Sequence, residues 1–448
     1  MSISTEEHSC SRKETLTFMS NKKGLYALSP LIVFVALYLI SSIVAADFYT
    51  VPISVAFVAA SVYAVCISRK DSLASAINVF SRGASTDNIM LMIWIFVLAG
   101  AFASSAKAIG SVDATVNLML SVLPQNLVLP GLFLATCFIS LSIGTSVGTI
   151  VALVPIAAGL AGETGASLPL MTAVVVGGAF FGDNLSFISD TTIAATSSQG
   201  CSMKDKFKVN FHITLPAAIV ILAIYTFMGL ELRPDIHTHG VDALKVLPYI
   251  AVLATAIAGL NVTVVLVIGI LLTGAIGMTD GVSMYDWMHA MGDGITGMGE
   301  LIIVTMLAGG MFATVRHMGG IDYLIEKISA RIHGKRGAEA VVGLLVAAVD
   351  MCTANNTVAI ISVGGMARDI SQKYGIDNRK TASLLDTCSC CMQGIIPYGA
   401  QMLMASGLAK LNPIDIIPYL YYPMALAVCV AVSIATGYPR KYSRANSI

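Results

Sequence analysis

The sequence contains little charge for its length. Asp, Glu, Lys and Arg make up 12% of its 448 residues, whereas soluble domains carry about 25%. Acidic and basic residues balance at 26 each, and no basic run interleaved with aromatics occurs, so we expect no nucleic-acid partner. The nine cysteines are odd in number and mostly lie in apolar stretches, so the sequence predicts no disulfide framework.

Signals for secretion and for catalysis are also missing. Residues 1–24 are polar and lack the apolar core and cleavage site of a signal peptide, so we expect a retained cytoplasmic tail. No HExxH, GxSxG or Ser-Lys arrangement with a plausible base occurs, which argues against an intramembrane enzyme. We therefore predict a protein that is not an enzyme and that needs no cofactor.

Long apolar runs dominate the rest of the chain. Hydrophobic residues make up 56% of the sequence, and runs near the length of about 20 residues that a transmembrane helix needs recur throughout. These runs lie at 28–46, 51–68, 88–106, 212–230, 247–278 and 415–436. They predict an all-α, multi-pass protein embedded in a lipid bilayer, and we expect the bacterial cytoplasmic (inner) membrane.

An internal repeat is visible at a shift of 209 residues. The shift aligns LAGAFASSAKAIGSVDA (98–114) with LAGGMFATVRHMGGIDY (307–323) without a gap and places Gly110 on Gly319. It also lays GTSVGT of the first half on TANNTV of the second. Isolated apolar helices resemble one another, but the matched glycines and charges favour a true repeat.

The two halves differ in the charge of their loops. Cytoplasmic loops collect Lys and Arg, and Arg69, Lys70 and Arg82 follow the second apolar run, whereas the corresponding loop at 278–299 contains no basic residue. This pattern predicts two inverted repeats with broken helices at the bilayer midplane. An inverted repeat needs an odd number of crossings, so each half should contain about five transmembrane helices plus one re-entrant hairpin. We expect the hairpins at 128–162 and 338–366.

The orientation of the termini and the division of the chain follow from these repeats. Both termini are expected in the cytoplasm, together with Lys204, Lys206 and Lys208. The predicted organisation is a cytoplasmic N-terminal tail (1–24), a first repeat (25–230), an external linker (231–245), a second repeat (246–438) and a cytoplasmic C-terminal tail (439–448).

Four apolar segments are interrupted by small and polar residues, as in broken helices that expose their ends to a ligand. The segment GTSVGT offers three hydroxyls together with two glycines, and its counterpart in the second half contains the pair Asn355-Asn356. Amide and hydroxyl oxygens suit Na⁺, which is a hard cation. The alternative interpretation of GTSVGT is a small-residue contact between helices.

The other two segments contain carboxylates. GGAFFGDNLSFISDTT includes Asp183 and Asp190, and LLDTCSCCMQGIIPYGAQ includes Asp386 and Gln401. A charged Asp near the bilayer centre costs about 2.5–3.5 kcal/mol, so such acids indicate a functional site by default. A carboxylate that accepts either a proton or Na⁺ provides the minimum chemistry of an antiporter. The three cysteines of the second segment cannot all face one ion, and we interpret them as packing residues.

The predicted ion or substrate ligands come from all four segments. They are Thr145, Ser146, Thr149, Asp183, Asn184, Ser186, Ser189, Asp190, Thr191, Thr192, Asn355, Asn356, Thr357, Asp386, Ser389 and Gln393. Among these, the carboxylates of Asp183, Asp190 and Asp386 are expected to hold Na⁺. His212 and Asp350 are candidates for a proton relay, although a histidine at the membrane interface is an equal alternative for His212.

At GAFFGDNLSFISDTT the sequence closely resembles the NhaC family of Na⁺/H⁺ antiporters, whose motif reads GAFFGD, Lys or Asn, LSP and then SDTT. The segment GTSVGT is similar to that family's GTSWGT, with Val147 in place of Trp. The resemblance covers about residues 28–437. It implies membership of the broader ion-transporter superfamily, with inverted repeats and paired re-entrant hairpins.

Two features of the second half bear on the substrate. Asn355-Asn356-Thr357 resembles the Ser-Asn-Thr hairpin motif of sodium-coupled carboxylate carriers in the same superfamily. Many NhaC members follow the second-half acid with Ser-Gly-Thr and a Pro-Trp-Asn element, whereas this chain has Pro397 and Tyr398 in place of Pro-Trp. The departure leaves the substrate open between ions and organic acids.

The resemblance implies Na⁺/H⁺ antiport by alternating access, with Na⁺ and H⁺ as the transported ions. The alternative is Na⁺- or H⁺-coupled transport or exchange of a small carboxylate or amino acid. A channel is the weaker third interpretation, because a channel does not need two inverted halves. Carriers of this broad type are commonly dimers, so a homodimer is a further expectation.

Overall fold

The computed structural model describes residues 21–45, 52–68, 72–230, 242–330, 332 and 334–442, and all regular structure in these ranges is helical. The helices of the first half are α1 (Asn21–Ala45), α2 (Ile53–Ile67), α3 (Leu73–Ala84), α4 (Asp87–Ala108), α5 (Ser111–Val122), α6 (Val128–Ile143), α7 (Ser146–Thr164), α8 (Leu168–Leu185), α9 (Asp190–Gln199) and α10 (Met203–Gly229). Those of the second half are α11 (Ala243–Ile257), α12 (Val262–Thr279), α13 (Met284–Gly297), α14 (Gly299–His317), α15 (Gly320–Ser329), α16 (Gly334–Thr353), α17 (Asn356–Tyr374), α18 (Asn378–Gln393), α19 (Ala400–Ala409), α20 (Pro413–Ile416) and α21 (Tyr421–Thr436). The predicted all-α class is confirmed.

Several helical segments are long and apolar enough to cross a bilayer. In the described part of the chain there are six, or seven if the bent pair α20–α21 forms one span, and they lie at 87–108, 146–164, 168–199, 203–229, 262–279 and 284–317. Shorter apolar helices of 10–17 residues accompany them. These segments are typical of a multi-pass membrane protein, and five spans plus a hairpin in each half stays a prediction.

Two predicted features differ from the structure. The apolar run at 247–278 is not one helix, because α11 ends at Ile257 and Gly259 adopts a left-handed φ of 84° before α12 begins. The loop expected at 278–299 is largely the helix α13, whose first turn is capped by the Ser283 hydroxyl. The expected loop residues Arg69 and Lys70, the tails before residue 21 and after 442, and most of the linker lie outside the described residues.

The helix ends recur at the spacing of the sequence repeat. Four pairs of left-handed residues at helix ends lie 209 or 210 positions apart, namely Gly110 and Gly319, Gly144 and Ala354, Gly165 and Gly375, and Gly200 and Lys410. Ala354 and Lys410 have φ of 50° and 55°, a region that residues other than glycine seldom adopt. The second half therefore has the same left-handed turns as the first, even at Ala354 and Lys410, where the first half has glycine. The inverted orientation of the halves stays a prediction.

Four broken helices meet between the two halves. Each predicted hairpin is a helix, a short break and a second helix, with α6 and α7 in the first half and α16 and α17 in the second. The pairs α8–α9 and α18–α19 are broken in the same way. Helix α7 packs against α19, and α9 packs against α17 and α18. The four breaks are consequently brought together by contacts between the halves.

Candidate functional site

A cavity of about 160 Å³ lies where the two hairpin tips meet. We call it the tip cavity. It is lined by Asn88, Leu91, Met92, Ile95, Gly144, Thr145, Ser146, Val147, Asp183, Asp190, Thr191, Asn355, Asn356, Thr357 and Gln401. Eight of the predicted ligands are in this lining, and with Gln401 the structure brings together residues from all four predicted segments.

Each hairpin tip turns on one left-handed residue followed by one extended residue. In the first tip these are Gly144 (φ 75°) and Thr145, after which α7 begins. In the second tip Asn355 is extended, and its side-chain oxygen accepts a hydrogen bond of 3.0 Å from the Val358 amide of α17. Thr145 makes no such capping bond. Both helices therefore begin at the cavity, and their N-terminal amides carry partial positive charge.

Asp183 occupies the last turn of α8 and is 5% exposed. The preceding Gly182 allows α8 to approach α6 closely, since a Cβ there would lie 2.3 Å from the Cβ of Ser140. The Ser146 hydroxyl donates to Asp183 Oδ2 over 3.0 Å. Among the described residues Asp183 has no ion pair. The cavity thus contains a buried carboxylate that forms no ion pair with a basic side chain of the described residues.

A chain of amide groups extends this contact into the second half. Gln401 Nε2 donates to the Ser146 hydroxyl over 3.0 Å. Gln393 Nε2 in turn donates to Gln401 Oε1 over 2.9 Å and to the Ala354 carbonyl over 3.1 Å. Asp183 is therefore connected to the second hairpin tip through neutral donors. Gln393 is a predicted ligand, but its amide bonds to Gln401 and to the Ala354 carbonyl and does not line the tip cavity.

Asp190 is the first residue of α9 and is exposed toward the tip cavity. A carboxylate at this position is stabilised by the helix dipole. The helix is capped by Ser189, whose hydroxyl accepts from the Thr192 amide and donates to the Asp183 carbonyl over 3.0 Å. Asp183 and Asp190 thus lie on opposite sides of the α8–α9 break, and both line the tip cavity.

Asp386 lies in a separate cluster that is also buried. Lys206 Nζ is 2.6 Å from Asp386 Oδ2, and the two side chains are 1% and 0% exposed. The same ammonium donates to the Asn184 carbonyl over 2.8 Å and to the Thr192 hydroxyl over 2.6 Å. Asn210 Nδ2 donates to Asp386 Oδ2 over 2.8 Å. Lys206 is expected on the cytoplasmic side with Lys204 and Lys208, and this stays a prediction. The ion pair buries Lys206, whereas Lys204 and Lys208 are exposed.

The remaining predicted ligands use their polar groups locally. Thr149 donates to the Thr145 carbonyl and Ser389 to the Asp386 carbonyl, both within their own helices. Thr192 donates to the Ser186 carbonyl across the α8–α9 break. None of these side chains lines the tip cavity. Their role as ligands stays a prediction.

The two proton-relay candidates lie in different environments. His212 is exposed, and its Nδ1 is 2.6 Å from the Lys208 carbonyl. Asp350 is fully buried in α16, and neither of its carboxylate oxygens has a hydrogen bond to a described residue. Neither residue lines the tip cavity. The cysteines of α18 do not join His, Asp or Glu in a metal-holding group anywhere in the described ranges.

The sequence did not predict three contacts of the site. These are the contacts of Lys206 and Asn210 with Asp386 and the contact of Gln401 with Ser146. Lys206 and Asn210 are four residues apart, which places them on one face of α10. This spacing, with Asn210 inside an apolar run, was the available signal. Gln401 stood out as an amide in the second-half segment, but its contact with Ser146 depends on the packing of α19 against α7.

Comparison with known proteins identifies the chain at the level of a family. A model of the Na⁺/H⁺ antiporter family matches residues 14–230 and 237–439. The chain belongs to this family. Its members are antiporters, which are transporters rather than enzymes, and the family predicted from GAFFGDNLSFISDTT is confirmed.

Individual relatives of this antiporter are distant but cover most of its length. The Na⁺/H⁺ antiporter NhaC of Bacillus subtilis is 23% identical over 391 residues, which cover 79% of this chain and 84% of that protein. The malate-2H⁺/Na⁺-lactate antiporter of the same organism is 20% identical over 398 residues, covering 80% and 83%. Among solved structures, the YdaH transporter of Alcanivorax borkumensis aligns with a TM-score of 0.40 and 13% identity over 82% of this chain and 88% of that chain.

Proposed function

We propose that this antiporter exchanges Na⁺ for H⁺ at the tip cavity. Asp183 is the carboxylate that accepts either the cation or the proton, and Asp190 is the second acid of the site. The observation that carries the proposal is the position of Asp183 in a cavity lined by both hairpin tips. The volume of about 160 Å³ accommodates an ion with a few waters, since each water occupies about 30 Å³.

Neutral oxygens complete the proposed Na⁺ site. Thr145 and Ser146 supply hydroxyls from the first tip, and Asn355, Asn356 and Thr357 supply amide and hydroxyl oxygens from the second. Sodium prefers such hard ligands. Because the ligands come from both halves, binding of the ion would depend on how the halves approach each other, as alternating access requires.

The proton route and the membrane setting complete the proposal. Asp350 is the stronger of the two relay candidates, because it is fully buried and has no hydrogen bond to a described residue. We place the chain in the bacterial inner membrane as inverted halves (25–230 and 246–438) with both termini cytoplasmic, and as a homodimer. No resident cofactor takes part in this scheme.

A second function is supported by a separate observation. Helices α7, α9 and α17 all begin at the tip cavity, and the N-terminal ends of helices favour anions. A small carboxylate could bind there while Na⁺ binds the aspartates. The malate-2H⁺/Na⁺-lactate antiporter is a relative whose name includes such substrates. Coupled transport or exchange of a small carboxylate or amino acid is therefore the alternative.

Proton flux in proteoliposomes tests the main proposal. Addition of Na⁺ outside liposomes that contain a pH dye should make the lumen more alkaline for the wild type. Asp183→Asn should reduce this flux to the level of empty liposomes, because an amide neither carries the proton nor offers the charge that Na⁺ needs. Asp113→Asn changes an exposed acid of α5 and is the matched control. Full flux in Asp183→Asn would overturn the proposal.

A panel of solutes separates the two functions. The same liposomes are tested with malate, lactate, arginine or no solute on either side. Flux with Na⁺ alone supports Na⁺/H⁺ exchange. If Na⁺ alone is silent and one solute restores Na⁺ and H⁺ movement, the chain is a coupled solute carrier.

A further inference from the structure

The most unusual group outside the tip cavity is the Lys206 ammonium. It lies near the N-terminal end of α10, where the helix dipole disfavours a positive charge. It is nonetheless 1% exposed in a segment long and apolar enough to cross a bilayer. A buried charge in such a segment has to be compensated by specific partners. The atoms that contact Lys206 therefore indicate which kinds of cation can bind at this position.

All three partners are oxygen atoms, and each belongs to a different chemical group. They are the Asp386 carboxylate at 2.6 Å, the Asn184 carbonyl at 2.8 Å and the Thr192 hydroxyl at 2.6 Å. One carboxylate, one helix-end carbonyl and one hydroxyl form a ligand set typical of a hard metal cation. The ammonium is thus surrounded by the types of oxygen atom that coordinate a small metal cation.

The Asn210 amide lies beside these three oxygens. Asn210 Nδ2 donates to both the Asn184 carbonyl and Asp386 Oδ2, at 2.8 Å each. The other atom of this amide, Oδ1, is buried and accepts no hydrogen bond from the described residues. Buried acceptors are normally satisfied. Asn210 thus contacts the cluster through its nitrogen, and a turn of the amide would offer its unsatisfied oxygen to a cation there.

The cluster adjoins the proposed Na⁺ site through the main chain. Asn184 follows Asp183 directly at the end of α8, and its carbonyl is one of the free acceptors that a helix C-terminus leaves. Thr192 follows Asp190 by two residues on the other side of the same break. One break in the helix thus presents Asp183 and Asp190 to the tip cavity and presents oxygen atoms to Lys206.

We propose that Lys206 is a tethered cation that fills a second cation site and so limits the chain to a single exchangeable Na⁺. This inference rests on the proposed Na⁺ site at Asp183 and adds its stoichiometry. The ammonium remains charged and bound throughout the cycle, so Asp386 serves Lys206 and not the transported ion. Removal of the ammonium with the oxygens left in place should therefore create a second Na⁺ site.

Equilibrium binding of radioactive ²²Na⁺ to the purified full chain in detergent measures the stoichiometry directly. Lys206→Met removes the charge and keeps an unbranched side chain, so it should bind one more Na⁺ per chain than the wild type. The double variant Lys206→Met with Asp386→Asn removes the site's carboxylate as well and should bind the same number as the wild type. Lys208→Met, at an exposed lysine two residues along, is the matched control and should also match the wild type.

Each result supports or overturns the inference separately from the proposed function. One extra Na⁺ in Lys206→Met supports the assignment of Lys206 to a cation site, whereas an unchanged number in the folded variant overturns it. A wild type without Na⁺ binding contradicts the Asp183 site and the stoichiometry of one Na⁺, but not the cation site at Lys206. Thermal unfolding in NaCl and in choline chloride covers a variant that folds poorly, because a ligand that binds the native state stabilises it. Rescue of Lys206→Met by Na⁺ but not by choline supports the inference, and failure in both salts while the double variant folds overturns it.

Discussion

Asp183 and Asp386 lie in corresponding broken helices, but their surroundings differ. Asp183 is approached by the neutral Ser146 hydroxyl and faces the tip cavity. Asp386 is held by the Lys206 ammonium and the Asn210 amide and has no exposed surface. Two aspartates that look alike in the sequence therefore have different surroundings. One faces the cavity in which we propose that Na⁺ binds, and the other is paired with the Lys206 ammonium.

The two acids are also not equivalent positions of the repeat. With the spacing of 210 residues between Gly144 and Ala354, Asp183 corresponds to Gln393 and Asp386 corresponds to Val176. The cavity consequently receives its carboxylates from the first half, while the second half contributes the amides of Asn355, Asn356 and Gln401. A single asymmetric cation site between two similar halves fits this division better than two equal sites.

The largest effect that separates the two aspartates should be on stability. Asp386→Asn leaves the Lys206 ammonium buried without an anion, and breaking a buried pair in this way costs about 3–5 kcal/mol. Asp183→Asn removes no ion pair, so its free energy of unfolding should change by less than about 1 kcal/mol. Thermal unfolding of the two variants in the same detergent and without Na⁺ gives the comparison.

Each variant serves as the control for the other, since both replace a buried aspartate by its amide. A loss of stability in Asp183→Asn as large as that in Asp386→Asn would mean that Asp183 has a structural partner. The distinction between an available and a compensated acid would then fail.

The sequence was sufficient to predict the broken helices and their meeting point. Glycine and asparagine in apolar runs, together with the repeat, located the breaks at Gly144, at Ala354 and after Asp183 before any contact was known. The partner of Asp386 could not be predicted, because Lys206 approaches it only when α10 packs against α18. A lysine beside two others near a helix start reads as a surface residue. The polar stretch 278–299 likewise predicts a loop, but the structure has helix α13 there, which begins after the capping residue Ser283.

A smaller effect should come from the hydrogen bond that supports Asp183. Ser146→Ala removes the hydroxyl that donates to the carboxylate, and a hydrogen bond to a charged group contributes about 1.5–3 kcal/mol. Because the charged form loses this support, the Na⁺ concentration for half-maximal exchange should rise by at least about tenfold, since a factor of ten corresponds to about 1.4 kcal/mol. Exchange in proteoliposomes over a Na⁺ series measures it.

The control for this variant is Ser142→Ala, whose hydroxyl donates to the Phe138 carbonyl within α6. It should leave the Na⁺ dependence unchanged. If Ser146→Ala also has no effect, the first hairpin tip does not stabilise the charged Asp183 carboxylate. The difference between the two aspartates would then depend on Lys206 alone.

The smallest effect is expected at His212. Its ring is exposed and contacts the Lys208 carbonyl, and it lies on the outer side of α10 near Tyr438 rather than at the tip cavity. His212→Gln should therefore keep the exchange rate within about twofold of the wild type, as for other surface substitutions, across a series of pH values in proteoliposomes. If a limb of the wild-type pH profile disappears with the ring, protons reach Asp183 past His212, and the available acid has a titratable partner that its local contacts do not reveal.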